Sequence, residues 1–228
     1  MLSLAIGVWI TWPPYYRQGP IQARVVDRVT GEPIAGVSVV AEWDVTSIPF
    51  GVDSLYQFNE ATTNADGLFS FAAWGPRRRP INSYLTDHDP EIWIYKFGYE
   101  ALRLDNSSAY VPVIGQPDAS GKNVWTPAHT PRSDQVAEKY PGWRYAGIRR
   151  YSFWNGKTIG MTRTRSGEED ARALAFVQTV DVTVDKHAVP MFWRAWQSAL
   201  QRLPPSAFEK YPSLSMYLEP PTSQESRP

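Results

Sequence analysis

The sequence contains no cysteine, has only three histidines and carries no net charge. Without cysteine the chain cannot form disulfides, thiolate nucleophiles, zinc–thiolate centres or iron–sulfur clusters. Its 23 basic residues balance its 23 acidic residues, whereas a dedicated nucleic-acid-binding domain usually has a basic excess. These absences exclude several classes of redox and metal chemistry, and they disfavour nucleic acid as a partner.

The apolar run at residues 2–12 is short. Residues 2–12 are uncharged and mostly apolar, but at about 1.5 Å per residue they are too short to cross a bilayer core of about 30 Å as a helix. Their length is typical of the apolar part of a secretory signal, although no Lys or Arg precedes them. We expect residues 1–19 to be a signal remnant or anchor that allows membrane association through residues 2–12. The chain would then act outside the cytoplasm. A buried first strand or helix is the alternative.

The 20 prolines and 15 glycines favour short strands joined by turns over long helices. From residue 20 to residue 105, short apolar runs alternate with turn residues, and Asp66-Gly67 is typical of a hairpin turn. This pattern predicts an antiparallel β-sandwich. The predicted strands are residues 21–26, 37–43, 57–63, 68–73, 92–95 and 100–104.

Three motif blocks within this region carry a family resemblance. They are Val26-Asp-x-x-Thr-Gly-Glu-Pro-Ile-x-Gly-Val-x-Val39, Thr63-Asn-x-Asp-Gly-x-Phe-x-Phe71 and Gly98-Tyr-Glu100. Their order and spacing resemble the carboxypeptidase regulatory-like domain, in a chain similar to small bacterial proteins of this class. The resemblance implies a transthyretin-like sandwich of seven strands, used as an accessory module outside the cytoplasm. The chain departs from the family pattern by an insert at residues 44–56 and by about 120 further residues after the domain.

The rest of the chain divides into four predicted segments. Residues 106–147 lack a sustained period and predict an irregular loop or linker. Residues 148–165 predict a β-hairpin around a type I′ turn at Asn155-Gly156, with positive φ at both turn residues. Residues 166–218 predict a helical extension, and residues 219–228 a disordered tail.

Two helices are predicted within the helical extension, at residues 167–180 and 188–203. Ser166 and Glu169 have capping-box spacing at the start of the first helix. The second helix has an apolar stripe, which predicts a face packed on a core more than a partner or membrane surface. The stripe consists of Val189, Phe192, Trp193, Trp196, Leu200 and Leu203.

Candidate catalytic motifs are weak. His88 and Glu91 have the His-x-x-Glu spacing of metallocarboxypeptidase zinc ligands, but no third ligand has supporting context. Gly115 to Lys122 fails the spacing of a phosphate-binding loop, and no Gly-x-Ser-x-Gly elbow is present. We therefore predict no catalytic residue, metal or cofactor.

Two basic regions are candidate contact sites. Residues 139–165 interleave seven Lys or Arg residues with aromatic rings and include no acid, a pattern that suits single-stranded nucleic acid or anionic polymers. The acidic residues of 166–185 could instead neutralise this region. A second cluster, Arg77-Arg78-Arg79, lies in a predicted loop, where binding residues are common. The candidate contacts are Arg77, Arg78, Arg79, Arg149, Arg150 and Trp154.

These observations favour a non-catalytic binding or structural module of the cell envelope, or a secreted one, with a protein or glycan partner. A nucleic-acid or anionic-polymer binder using residues 139–165 is the first alternative. A hydrolase of unrecognised type is the second.

Overall fold

The computed structural model describes residues 15–85, 90–104, 111–117, 123–128, 152–183 and 189–218, with only the backbone described at 111–117, 123–128 and 178–183. In chain order the strands are β1 (Tyr15–Gln18), β2 (Ile21–Asp27), β3 (Ser38–Ser47), β4 (Asp53–Thr62), β5 (Leu68–Phe71), β6 (Trp74–Arg78), β7 (Ser83–Leu85), β8 (Glu91–Tyr95), β9 (Leu102–Leu104), β10 (Val111–Pro117), β11 (Asn123–Ala128) and β12 (Thr158–Met161). The helices are α1 (Gly167–Thr183), α2 (Pro190–Leu200), α3 (Pro205–Lys210) and a 3₁₀ helix (Pro212–Tyr217).

Most of the strands form two sheets. Sheet I has the order β11-β10-β12-β2-β5, and sheet II has the order β4-β3-β8-β9, with β7 paired to the end of β3. A separate ribbon joins β1 to β6. The pairings are antiparallel except that of β12 with β2, which is parallel. The predicted fold class, mainly β with antiparallel sheets and C-terminal helices, is confirmed.

The main core lies between the two sheets. Alternate residues of β2 point inward, as expected for a strand with one buried face. β3 is buried on both faces, because Val39, Ala41 and Trp43 enter the main core whereas Val40 faces the helices. Sheet II is thus the middle layer of the fold, between sheet I and the helices.

The helices cover the outer face of sheet II. The stripe of α2 packs against Val40 and Trp93 of the sheet, so the prediction that it faces a core is confirmed. Glu60 on β4 accepts hydrogen bonds from the free backbone N–H groups of Met191 and Phe192, which fixes the start of α2 against the sheet edge. The observed α2 is shorter than the predicted 188–203, and Pro204 stands before the short helix α3.

The predicted capping box at the start of α1 is formed in part, because the Glu169 carboxylate binds the N–H of Arg165 and not that of Ser166. Glu169 N donates to Ser166 Oγ at 3.3 Å, while the Glu169 carboxylate accepts from Arg165 N at 2.6 Å. The neighbouring Asp170 accepts from Gly98 N at 3.0 Å. The first turn of α1 is therefore tied to the turn between β8 and β9.

The Asp66-Gly67 turn does not form the predicted hairpin. It joins β4 of sheet II to β5 of sheet I, and each strand pairs with a different neighbour. Asn64 Oδ1 accepts from Asp66 N and Leu68 N, which closes the turn locally. A turn does form at the predicted position, but it connects a strand of one sheet to a strand of the other.

Three predicted boundaries are also wrong. Residues 15–18 of the predicted N-terminal segment form β1, whose partner β6 lies far along the chain. The insert at 44–56 is a continuation of the β3–β4 hairpin, with Thr46 opposite Asp53. Within the predicted linker 106–147, β10 and β11 pair with each other and extend sheet I beyond residue 105.

The predicted hairpin at 148–165 is wrong in its described part, residues 152–165. β12 pairs with β2 and β10, and only Gly156 of the predicted turn has positive φ. The turn instead docks on β2, because Gln22 N donates to Asn155 Oδ1 at 2.8 Å and Gly156 N donates to Gln22 O at 2.7 Å. The Asn155 side chain thus holds the turn against a neighbouring strand.

We expect Gly156→Val to lower the free energy of unfolding by about 1–3 kcal/mol, the usual cost of a strained backbone. Gly156 has φ +75, a conformation that β-branched residues avoid. Urea denaturation of the variant measures the loss. Gly156→Asn is the matched control, since asparagine tolerates this region and should retain most of the stability. A valine variant as stable as the parent would contradict the docked turn.

Among the described residues, no helix has the length and apolar character needed to cross a membrane.

Candidate functional site

The predicted contact residues divide into three groups. Arg77 and Arg78 lie on β6, a strand and not the predicted loop, and Arg79 follows directly. Trp154 is 0% exposed within the main core, so its prediction as a ligand contact is corrected: its ring packs between the sheets. Arg149 and Arg150 lie outside the described residues.

The basic and aromatic stretch 139–165 is described only from residue 152. In this part Arg163 forms an ion pair with buried Asp27, with Nε 2.5 Å from Oδ2. Lys157 lies over the Phe153 ring, 5.1 Å from its centroid. Both side chains make internal contacts, although the Arg163 side chain is still 66% exposed.

Of the His88 and Glu91 spacing noted in the sequence, only Glu91 lies within the described residues. Glu91 lies on β8 and forms an ion pair with Arg103 of the edge strand β9. Among the described residues, no group of three or more His, Asp or Glu side chains could hold a metal ion.

A shallow groove separates the end of β8–β9 from α1. Ala101, Ala173 and Phe176 line it together with charged residues. One of these, Glu169, is engaged in the cap of α1. The groove has both signs of charge and an apolar part, but it presents no nucleophile beside a base.

The most distinctive surface lies at the end of the sandwich where β3 turns into β4. Five apolar side chains are exposed there on two adjacent loops and on β7, and we call them the tip surface: Ile48, Phe50, Val52, Ile81 and Tyr84. Phe50 is 82% exposed and Ile81 is 77% exposed. Burial of such side chains is favourable by about 1.5–3 kcal/mol each, so a cluster of them on a surface marks a contact site.

Backbone hydrogen bonds hold the two loops of the tip surface together. Ile48 N donates to Asn82 O at 2.6 Å, which joins the β3–β4 loop to the loop before β7. Gly51 N donates to Ser47 O at 2.9 Å and Ser47 N donates to Val52 O at 2.9 Å, which closes the first loop on itself. The apolar side chains therefore project from an ordered backbone.

Three consecutive cations border the tip surface, and we call Arg77, Arg78 and Arg79 the arginine strip. Arg79 donates to Ser83 O at 3.3 Å, and Ser83 begins β7 beside Tyr84. Tyr56 on β4 donates its hydroxyl to Arg78 O at 3.1 Å. Among the described residues, no carboxylate forms an ion pair with Arg77 or Arg78.

Aromatic rings support the arginine strip from beneath. The Arg77 guanidinium lies 5.6 Å from the Tyr56 ring centroid, and Tyr56 in turn contacts Tyr16 and Trp74 with centroid distances of 5.7 and 5.9 Å. Burial raises the pKa of Tyr56, and Arg77 partly offsets this effect. The ring cluster anchors the β1–β6 ribbon on sheet II, so the cations have a defined position.

Two acids lie near the tip surface. Asp53 accepts a hydrogen bond from Thr46 Oγ1 at 2.6 Å. Burial, followed by the nearby charge of Asp53, raises the pKa of Asp44. Among the described residues near the tip surface, the three arginines of the strip outnumber these two acids.

Comparisons with known proteins add little. No protein-family model and no curated protein matches the chain. The solved structures similar to it include the dioxygenase domain of a dioxygenase and carbohydrate-binding protein fusion from the cellulolytic bacterium Streptomyces sp. SirexAA-E. That domain is 16% identical, with 68% of this chain and 81% of that chain covered and a TM-score of 0.21. A likeness this low carries no argument about fold or function.

The apolar members of the site were missed by the sequence analysis, which treated residues 44–56 as an insert. The segment Ile48-Pro-Phe-Gly-Val52 contains no polar side chain although it connects two strands. Turns in soluble regions are usually polar, so this composition was the available indication of a contact loop.

Proposed function

We propose that the chain is a non-catalytic β-sandwich module of the cell envelope and that the tip surface is its contact surface. The observation that carries the proposal is the exposure of five apolar side chains at one end of the fold. The bordering arginines add a charge preference to that surface. The motif resemblance to the carboxypeptidase regulatory-like domain, an accessory module, supports the same role.

The ordered backbone of the tip surface also supports a binding function. A contact surface that is already ordered loses little conformational entropy when its partner binds. The partner of such a module is a protein, a glycan or a lipid surface of the envelope.

The test is sedimentation of the purified full chain with washed bacterial envelope preparations. Phe50→Ser with Ile81→Ser should weaken binding about tenfold or more, because two large apolar contacts are lost. Val29→Ser is the matched control. Val29 is 85% exposed on the loop after β2, at the opposite end of the sandwich.

Equal binding by the parent and the Phe50/Ile81 variant would overturn the proposal, since residues outside the tip surface would then make the contact. Loss of binding in the Val29 variant alone would also overturn it.

A further inference from the structure

We infer that the tip surface binds an anionic lipid surface, with its apolar side chains entering the interface and the arginine strip contacting the headgroups. This inference rests on the proposed function and names the partner of the same site. Three features of the described residues carry it: the exposure of the apolar tip surface, the position of its cations and the place where β1 begins.

The tip surface is apolar and highly exposed. Its apex is a loop between two strands, where Phe50 and Val52 are 82% and 59% exposed, and Ile81 projects from the adjacent loop. A glycan site usually presents a flat or concave aromatic platform with polar groups, whereas four of these five side chains are purely hydrocarbon. Protruding apolar side chains bordered by cations are typical of segments that lie in a membrane interface.

The cations lie where headgroups would meet an inserted tip. Arg79 is tied to Ser83 beside the tip surface, and the neighbouring Arg78 is exposed on β6. Lys and Arg near an anionic bilayer surface each add affinity. Tyr84 and Tyr15, both partly or largely exposed, add amphipathic rings of the kind enriched at membrane interfaces.

The beginning of β1 gives independent support. Tyr15 pairs with Arg78, and Tyr16 donates its hydroxyl to Ser83 O at 3.3 Å. The apolar residues 2–12 therefore connect to the fold beside the arginine strip, with only residues 13 and 14 between them and β1. The start of β1, the arginine strip and the tip surface therefore lie at the same end of the described fold.

The two described acids near the tip surface do not neutralise the positive charge of the arginine strip. Asp53 is engaged by Thr46 and lies on β4, and Asp44 is half-buried. Neither forms an ion pair with Arg77 or Arg78 among the described residues. Among the described residues near the tip surface, the arginines of the strip therefore outnumber the acids.

The test is co-sedimentation of the full chain with phosphatidylcholine vesicles, with or without about 30% phosphatidylglycerol. The parent should bind the anionic vesicles, and salt should weaken this binding. Phe50→Ser with Ile81→Ser should lower the affinity about tenfold or more. Arg78→Glu should lower it about tenfold, because it removes one cation and adds an anion. Val29→Ser should bind like the parent, and circular dichroism should confirm that each variant is folded.

Several results would overturn the inference. Parent-like binding by the Phe50/Ile81 variant would show that residues 2–12 alone hold the lipid. Equal binding to both vesicle types would remove the role of the arginine strip. Envelope binding that depends on the tip without any vesicle binding would assign a protein or glycan partner, and the proposed function would survive. Absence of both kinds of binding would end both proposals.

Discussion

Replacing Gly67 with alanine is expected to lower the free energy of unfolding by about 3–5 kcal/mol, a loss large enough to unfold many single domains. Gly67 has φ +72, and a Cβ added to it would lie 2.3 Å from the backbone oxygen of Val25. That oxygen accepts the hydrogen bond of Ile34 N at 3.0 Å, and Val25 N donates to Gly67 O at 2.8 Å. The methyl group can be accommodated only if β2 moves away from the turn.

The measurement is chemical denaturation of the variant beside a matched glycine variant. Gly51 has a similar φ of +63, but nothing lies within 4 Å of a Cβ built there, in the part of the chain the structure describes. Gly51→Ala should therefore cost only about 1 kcal/mol, the backbone term alone. Equal losses at the two positions would show that β2 does not approach Gly67 as closely as described.

Asp27→Ala is expected to destabilise the fold by about 2–4 kcal/mol at neutral pH. The side chain is 1% exposed, and its Oδ1 accepts from the backbone N–H groups of Val29 and Thr30 at 2.9 and 3.1 Å. Its Oδ2 accepts from Arg163 Nε at 2.5 Å and from the Tyr99 hydroxyl at 3.3 Å. Alanine leaves the backbone donors and the Tyr99 hydroxyl without this acceptor.

The same carboxylate should make stability depend on pH. Burial by itself raises the pKa of Asp27, but the hydrogen bonds from Arg163, Thr30 and Val29 outweigh it, and the pKa lies below its ordinary value. The ionised form is therefore favoured by folding, so its contribution is full above the ordinary aspartate pKa of about 3.9 and is lost as the pH falls through the folded-state value.

Urea denaturation across this acidic range checks the sign. The parent should lose more stability on acidification than Asp27→Asn, which has no proton to bind there. Tyr99→Phe is the control for the weaker contact and should cost only about 0.5–1.5 kcal/mol. Parallel pH profiles for the parent and Asp27→Asn would contradict the assignment.

Local pattern predicted the strands well, because a half-buried strand repeats every two residues whatever its partner. The predicted 21–26 and 92–95 lie within one residue of the observed bounds of β2 and β8. Pattern could not identify the partners. At Asn64–Gly67 the turn chemistry is the same for a hairpin and for a crossing between sheets, and packing of the two sheets decides between them.

The hairpin predicted around Asn155-Gly156 failed for a related reason. The dipeptide is typical of a type I′ turn, but Asn155 uses its side chain to bind Gln22, 133 residues earlier in the chain. From sequence alone, an asparagine whose side chain hydrogen-bonds to a distant strand cannot be distinguished from one that forms a turn. Likewise β10 contains Pro112 and Gly115, which obscured its strand character in the predicted linker.

The candidate site was predictable in part. Charge alone identified the arginine strip, since three consecutive arginines need no structural context to be noticed. Trp154 was misassigned because an aromatic ring beside cations is equally typical of a binding face and of a core. The tip surface required the structure, because the hydrogen bond from Ile48 N to Asn82 O joins the separate loops that contain Phe50 and Ile81.

The parallel pairing of β12 with β2 has a consequence for how the polypeptide matures. β2 is synthesised before β12, and Arg163 follows its partner Asp27 by 136 residues. Until β12 is synthesised, one edge of β2 stays unpaired and open to other nascent chains. Long-range closure of this kind is slow. A chaperone that shields an exposed strand edge would therefore raise the yield of this protein most while β12 has not yet been synthesised.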